Sequence, residues 1–324
     1  MFSKIIKKLF FALCVVVLCH CSSDSGGGGD DTPVIPEKSS KTTTDATNVG
    51  GVVNVMTYNV LNDKGQTGSR QWSTRRVSLV NLINRHNPDF IGVQEAFSHQ
   101  AKYIKDQTSL SYFGYGTESG KSENNSPTPD EIVNSIFYNA ERFDVLEKGV
   151  FWFSNDPDTP NVGFGEGTSD THFRNCVWGK FKENVDNGEV VYIFNTHFSL
   201  NDNIRKQQAS LLMSKVEEII EEGESVAVVG DFNSDPNRDT SYNIMTNEID
   251  PIHFIDTKSV SQTSPSGPSY TKTGMDVGPL TSGEKIDHVF TRNVTSCNAY
   301  KVIPDYEGNY YPSDHFPVLT VLSL

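Results

Sequence analysis

The sequence predicts an α/β protein in which two mixed β-sheets pack face to face and carry helices on their outer faces. Three observations carry this. Short apolar runs end repeatedly in a polar residue, as in Val226-Ala-Val-Val-Gly-Asp-Phe-Asn-Ser-Asp235. A strand–helix–strand pattern occurs twice, with Asn59 and Glu95 closing the strands of the first copy and His197 and Asp231 those of the second; the separations, 36 and 34 residues, nearly match. Between and after the copies lie runs with the alternation and turn residues of antiparallel strands.

In order, Val52–Tyr58 is a strand by its apolar content. Ser73 can cap a following helix, with Val77, Val80 and Ile83 at helical spacing as its buried face. Phe90–Val93 is the next strand. Ile132–Tyr138, Phe143–Phe153 and Arg174–Phe181 read as antiparallel strands, and Phe151-Trp-Phe153 as core, since Asn155-Asp-Pro157 beyond it forms a turn. Val190–His197 leads into a helix with Ile204, Leu211, Leu212, Val216, Ile219 and Ile220 as its stripe, stopped at Glu221-Glu-Gly223. Strand 226–229 follows, and Ile286–Thr291, Ala299–Ile303 and Phe316–Leu322 complete the chain.

The 324 residues are 36% hydrophobic, enough for one large or two ordinary domains. A net charge of −14 argues against a broad basic surface for nucleic acid, but leaves room for a local phosphate site. Lys4, Lys7 and Lys8 precede the apolar run Leu9–Leu18, too short to span a membrane, and Cys21 follows. Residues 1–20 thus read as an export signal that resembles a bacterial lipoprotein signal, with Cys21 as the lipidated residue. His20 stands where such signals carry a small residue, and Cys19 is adjacent. Residues 21–49 are almost devoid of apolar side chains and read as a flexible tether. The expected product is a monomeric catalytic domain, residues 50–324, exported and lipid-anchored at the cell envelope. Cys176 and Cys297 remain in it; a disulfide between them is left open.

The chemistry collects at the strand ends. Glu95 is a candidate ligand for a hard cation such as Mg²⁺, with Mn²⁺ as a substitute; such ions take few carboxylates and several waters. Asn59 suits orienting that carboxylate, touching phosphate, or forming an Asx turn, and Asp231 and Asn233 have the same alternatives. His197 ends an apolar strand, where a histidine is either catalytic or simply hydrogen-bonded. His315 is a candidate general base with Asp287 as its orienter. Ser313, Asp314 and His315 are sequence neighbours and so cannot form a nucleophilic triad around one point. There is no Gly-x-Ser-x-Gly elbow, and no His/Cys spacing suits a zinc cage. Gly114–Ser122 imitates a phosphate-binding P-loop, but Tyr115 occupies a glycine position and prolines follow where that motif needs a helix.

Thr57-Tyr-Asn59, Gln94-Glu95, Asn195-Thr-His197, Gly230-Asp-Phe-Asn233, Lys285-Ile-Asp-His288 and Ser313-Asp-His315 together resemble, in order, the motifs of the endonuclease/exonuclease/phosphatase superfamily. The resemblance spans Val52 to Leu322. It implies a four-layer α/β/β/α sandwich and Mg²⁺-dependent phosphoester hydrolysis. It implies Glu95 as main metal ligand with Asn59 beside it, and Asp314 reaching the metal directly or through water. It further implies His315 as the Asp287-oriented base, Asp231 and Asn233 as the pair positioning nucleophile and phosphate, and His197 as stabiliser of the phosphate or leaving oxygen. Arg174, in His172-Phe-Arg174, resembles a phosphate clamp, against the alternative of a surface ion pair. Glu131 falls where relatives hold a carboxylate against the first histidine. Leu61 departs from the apurinic endonucleases, which carry aspartate there. Trp72-Ser-Thr-Arg75-Arg76 and Ser135-Ile-Phe-Tyr138 resemble the deadenylase-like branch, which favours a nuclease or phosphodiesterase acting on a phosphoester such as nucleic acid. A sphingomyelinase-like or inositol-phosphate phosphoesterase is the enzyme alternative, and an inactive surface binding protein the non-enzymatic one.

Overall fold

Strand alternation places each run's apolar residues and its polar end on the same face, and this property builds the site. The computed structural model describes residues 50–125, 127–164 and 172–324. The export signal, the tether and Cys21 lie outside the described residues.

The elements are β1 (Val52–Asn59), α1 (Trp72–His86), β2 (Phe90–Gln94), α2 (Ser98–Gln107), β3 (Ser111–Gly116), β4 (Val133–Tyr138), β5 (Phe143–Trp152), β6 (Asn175–Glu183), β7 (Val190–His197), α3 (Asp202–Ile219), β8 (Ser225–Asp231), α4 (Thr240–Thr246), β9 (Ile255–Asp256), β10 (Asp287–Arg292), β11 (Ser296–Val302) and β12 (Val318–Ser323). They form two six-stranded mixed sheets, ordered β11-β12-β1-β2-β4-β3 and β5-β6-β7-β8-β10-β9. Val53, Val55, Phe90, Ile136, Val177, Ile193, Ala227, Val229 and Val289 interleave between the sheets. Met56, Tyr58, Ile91 and Val93 face the other way and pack under Leu79, Leu82 and Ile83 of α1 and Ala101 and Ile104 of α2. On the opposite outer face, Tyr192, Phe194, Val226 and Val228 pack under Leu212, Met213 and Val216 of α3 and Met245 of α4. The architecture is therefore the four-layer α/β/β/α sandwich.

The two strand–helix–strand copies form parallel pairs, β1 with β2 and β7 with β8, in which Asn59 lies opposite Gln94 and His197 opposite Asp231. Gly92 explains how closely the sheets approach: a Cβ there would meet Val229 Cγ2 at 2.3 Å and Asn195 Oδ1 at 2.6 Å. The buried amides at this seam bond to one another, with Gln94 Oε1 alone unpartnered in this pair among the described residues. Gln94 Nε2 donates to Thr57 Oγ1 (3.1 Å) and Asn195 Oδ1 (2.6 Å), while Asn195 Nδ2 donates to the carbonyls of Val93 and Ser135, both at 2.9 Å. They form a polar floor between the sheets, directly beneath the strand ends.

Some expectations need correction. The first helix starts at Trp72 with Gln71 as its cap, so Ser73 lies inside it. Val77 is 53% exposed; the buried face runs through Arg75, Leu79, Leu82, Ile83 and His86. Helices α2 and α4 and strands β3 and β9 are additional to the expected elements. Two of the three glycines of the P-loop imitation, Gly114 and Gly116, lie within β3, and Gly120 closes the turn that follows it. Phe151, Trp152 and Phe153 are buried, as core residues should be. Cys176 and Cys297 are both buried free thiols, on different layers.

Candidate active site

Asn59, His197, Asp231 and Asp287 continue the inward alternation of β1, β7, β8 and β10 past the last apolar residue, so they meet where the sheets part. Backbone strain marks the same place. Leu61, Glu95 and Asn233 adopt φ of 55°, 64° and 49° just past the ends of β1, β2 and β8. That region carries a steric penalty for non-glycine residues, which occupy it where surrounding contacts over-determine it.

Asn59 is the central tie. Its Nδ2 donates to Glu95 Oε1 (3.0 Å) and Asp231 Oδ2 (2.9 Å), and its Oδ1 accepts from the Leu61 amide (3.1 Å). One amide thus draws two carboxylates together while its own oxygen faces the backbone. Asn59 holds Glu95 rather than presenting an oxygen beside it. Glu95 Oε2 receives the Asn62 amide (3.2 Å) and Asn62 Nδ2 (2.7 Å). Burial pushes the Glu95 carboxyl up, but the hydrogen bonds from Asn59 and Asn62 and the charge of His315 bring it below the usual range, so it is anionic.

His315 Nδ1 lies 2.8 Å from Asp287 Oδ2, both side chains buried. The Asp287 backbone amide donates to Thr271 Oγ1 at 3.0 Å, which fixes the acid's strand end. Burial works against a charged His315, but the charges of Asp287 and Asp231 reverse that and raise it to about 9. Across the centre, His197 Nε2 lies 3.2 Å from Asn233 Nδ2 and 3.4 Å from Asp231 Oδ2. Burial and the Arg174 charge push His197 down to about 3, so it is neutral. Asn233 also donates to the Phe198 carbonyl (2.9 Å), and its own amide donates to Asp231 Oδ1 (2.9 Å), an Asx-type turn that fixes both side chains.

The fold brings Asn59, Glu95, His197, Asp231, Asn233, Asp287 and His315 into one cluster. Arg174 lines the adjoining cavity, about 290 Å³, with Glu95, His197, Asn62, Lys64, Phe97, Glu118, Asp130, His172 and Phe173 among its walls. Asp314 Oδ2 sits against Arg70 (3.2 Å) and Lys272 (3.6 Å), so two side-chain cations already occupy it. Glu131 departs from expectation: it accepts the backbone amides of Glu118, Ser119 and Thr128 and braces that loop, while His197 Nδ1 has no partner among the described residues. Leu61 is buried and its carbonyl accepts from Gln100 (3.0 Å), a structural use of the position.

Three contributors were not singled out as site residues from the sequence. Asn62 holds Glu95. Lys272 Nζ lies 2.9 Å from His315 Nε2. Arg75, 2% exposed, donates to the carbonyls of Arg70 (2.9 Å), Val60, Leu61 and Pro312 (3.1 Å). It ties the loop after Asn59 to the loop bearing His315, which Ser313 Oγ also joins by donating to the Asn59 carbonyl (2.7 Å). Arg75 was visible as part of Trp72–Arg76; a buried arginine that donates only to carbonyls carries no sequence pattern.

Asp231, Asp287 and His315 bring ligand-type atoms within 4.8 Å of one another. Because Asp287 already takes up His315 Nδ1, the trio is better read as an oriented base beside an anion. A cation fits the Glu95 side, where a carboxylate held ionised by amides borders the cavity.

His197 gives a stability test. Its folded pKa lies below the unfolded value of about 6.5, so the unfolded chain binds the extra proton. Stability is full above that value and falls as pH drops towards 3, with a slope of up to about 1.4 kcal/mol per pH unit. His197→Gln should flatten the decline between pH 6 and 4 in denaturant titrations (a window of about two units); an unchanged slope assigns the acid sensitivity to other groups.

Comparison with known proteins agrees with this geometry. Residues 56–315 match the sequence profile described as "Endonuclease/Exonuclease/phosphatase family". A mannosyl-6-phosphatase of Bacteroides thetaiotaomicron superimposes with a TM-score of 0.74 at 28% identity, covering 84% of this chain and all of that one. An uncharacterised protein of Acanthamoeba polyphaga mimivirus is 27% identical over 261 residues, 78% of this chain and 92% of its own length. The human Nocturnin catalytic domain, 17% identical, matches in fold with a TM-score of 0.63 over 84% of this chain and 93% of that one.

Proposed function

The chain belongs to the endonuclease/exonuclease/phosphatase family, whose members are phosphoester hydrolases, and we propose that it is a divalent-metal-dependent hydrolase of small phosphoesters, sugar phosphates foremost. The observation that carries the reading is the buried His315–Asp287 pair, at 2.8 Å, facing Asp231.

A metal fits the donor set: Glu95 is anionic, half-buried and beside the cavity, and Asp231 is drawn towards it by the same amide. Glu95 would hold Mg²⁺ or Mn²⁺, which when bound supplies positive charge to neutralise the phosphate and stabilise the departing oxygen. Asn59 and Asn62 keep Glu95 ionised and oriented. Asp287 holds His315 so that Nε2 faces the centre; the carboxylates that raise it keep the ring protonated, and a cation bound beside Glu95 would offset them, freeing Nε2 to take a proton from water. Asp231, fixed by Asn59 and the Asn233 amide, orients that water. Arg174 neutralises phosphate from the cavity side, and His197 and the Asn233 side chain are placed to meet a phosphate or leaving oxygen. Asp314, held by Arg70 and Lys272, serves the site through those cations.

The cavity supports a compact leaving group. Its volume suits a compact molecule rather than a polymer. Glu118 and Asp130 can accept hydroxyl protons, and Phe97 and Phe173 offer apolar faces, a combination suited to a sugar. Those carboxylates and the net charge of −14 oppose an extended polyanion. The 28% identity to a mannosyl-6-phosphatase over 84% of this chain supports the same class, so sugar phosphates come ahead of the nuclease and phosphodiesterase expectation.

A panel with Mg²⁺ or Mn²⁺ tests this: hexose 6-phosphates, oligonucleotides, sphingomyelin vesicles and inositol phosphates. The highest kcat/KM should fall on a hexose phosphate. Preference for oligonucleotide or sphingomyelin would reassign the leaving group, and inertness on every ester would favour the binding-protein alternative.

A further inference from the structure

We propose that Lys272 is a phosphate-contacting catalytic residue that makes this site select doubly charged terminal phosphates over phosphodiesters. The inference rests on the hydrolase reading above and specifies the substrate's charge.

Lys272 lies outside every motif of the sequence, yet its ammonium enters the ring of catalytic groups. Nζ is 2.9 Å from His315 Nε2, the atom that must face the attacking water. The same Nε2 is 3.8 Å from Asp231 Oδ2, which in turn is 3.4 Å from His197 Nε2. Lys272 therefore stands against the base atom that, with Asp231 and His197, borders the place where the phosphorus and its oxygens must arrive.

Its present contacts hold it weakly. Two nitrogens at 2.9 Å can share one proton only, and an ammonium prefers an anionic oxygen to an imidazole nitrogen. Its approach to Asp314 is 3.6 Å, whereas Arg70 reaches the same oxygen at 3.2 Å, so Asp314 keeps a partner when Lys272 leaves. The side chain is 41% exposed, which leaves the flexible stem room to swing. A phosphate oxygen at the centre is the better acceptor, and its arrival would free His315 Nε2 for water.

The charge count gives the selectivity. A terminal phosphate has one more anionic, non-bridging oxygen than a diester. Arg174 approaches from the cavity wall, on the Glu95 side, and Lys272 from the His315 side. The second cation has a full charge to meet only on the monoester.

The test compares p-nitrophenyl phosphate with bis-p-nitrophenyl phosphate in wild type, Lys272→Met and Lys272→Arg. Lys272→Met should lose about 10- to 100-fold in kcat/KM on the monoester, the size of one charge-assisted contact. It should lose at most about threefold on the diester, which offers that contact less charge. Lys272→Arg should restore most of the monoester preference. Equal losses on both esters, or none on either, would overturn the proposal. Calorimetric titration with inorganic phosphate separates this from failure of the hydrolase reading. If wild type hydrolyses neither ester, that reading falls, and Lys272 is still judged by whether Lys272→Met binds phosphate more weakly than wild type; equal affinity overturns its role. Because Lys272 is partly exposed, Lys272→Met should melt close to wild type, which rules out misfolding as the cause.

Discussion

His315→Ala should lower kcat by about 10²- to 10⁴-fold, the usual worth of a positioned general base, with KM changed far less. The contact is needed as water loses its proton in the transition state, so its removal shows in turnover rather than binding. Asp287→Asn should lose somewhat less, because the asparagine keeps the shape but no longer favours the ring proton on Nδ1 or supports the charge that His315 gains. The two side chains are buried and 2.8 Å apart, so they act as a unit. The double variant should therefore be barely worse than His315→Ala, since nothing remains for Asp287 to orient. Multiplicative losses would show that the residues work independently. A lowered melting temperature with near-normal kcat in the folded fraction would make His315 a packing residue beside Phe316.

Glu95→Gln carries the second large effect. The carboxylate lines the cavity within the cluster of Asn59, Asp231 and His315, and its hydrogen bonds come from Asn59 and Asn62. Replacing it with an amide removes the charge that a cation needs. Apparent Mg²⁺ affinity should fall by at least about 10- to 100-fold, the range for groups one layer further from a metal. The rise in melting temperature that saturating metal gives to wild type should shrink or vanish. Without metal, the introduced amide would turn its NH₂ towards donors from Asn59 or Asn62, so a small loss of stability is expected. A variant with wild-type metal affinity and an intact thermal shift would move the metal to another group, with Asp231, Asp287 and His315 the next cluster to examine.

What the sequence discloses follows from strand alternation. Asn59, His197 and Asp231 each close a run whose apolar residues already define an inward face, and Asp287 opens an antiparallel one, so their convergence is legible once those strands are placed. The repeated strand–helix–strand pattern was legible too, and the structure pairs the strands of each copy in parallel. Groups that reach the site from irregular segments were not. Lys272 is 43 residues from His315 and sits on a loop without periodicity, where nothing local indicates which way it faces. Asn62 acts because Leu61 takes a left-handed turn that returns the chain to Glu95, a turn that no glycine advertises. Glu131 was misread because sequence position gave its neighbourhood but not its donors, which are backbone amides of its own loop. Val77 was misread because its helix starts at Trp72, which sets the phase and turns that position to solvent.

The central claim is that this site hydrolyses phosphoesters with a divalent cation held beside Glu95. The most direct measurement is hydrolysis of p-nitrophenyl phosphate by the whole protein, stripped with EDTA and then titrated with Mg²⁺ or Mn²⁺, with His315→Ala alongside. The account predicts negligible turnover after stripping, recovery that saturates as metal is returned, and little recovery in His315→Ala. Undiminished hydrolysis in EDTA, or metal-restored hydrolysis as fast in His315→Ala as in wild type, would contradict it.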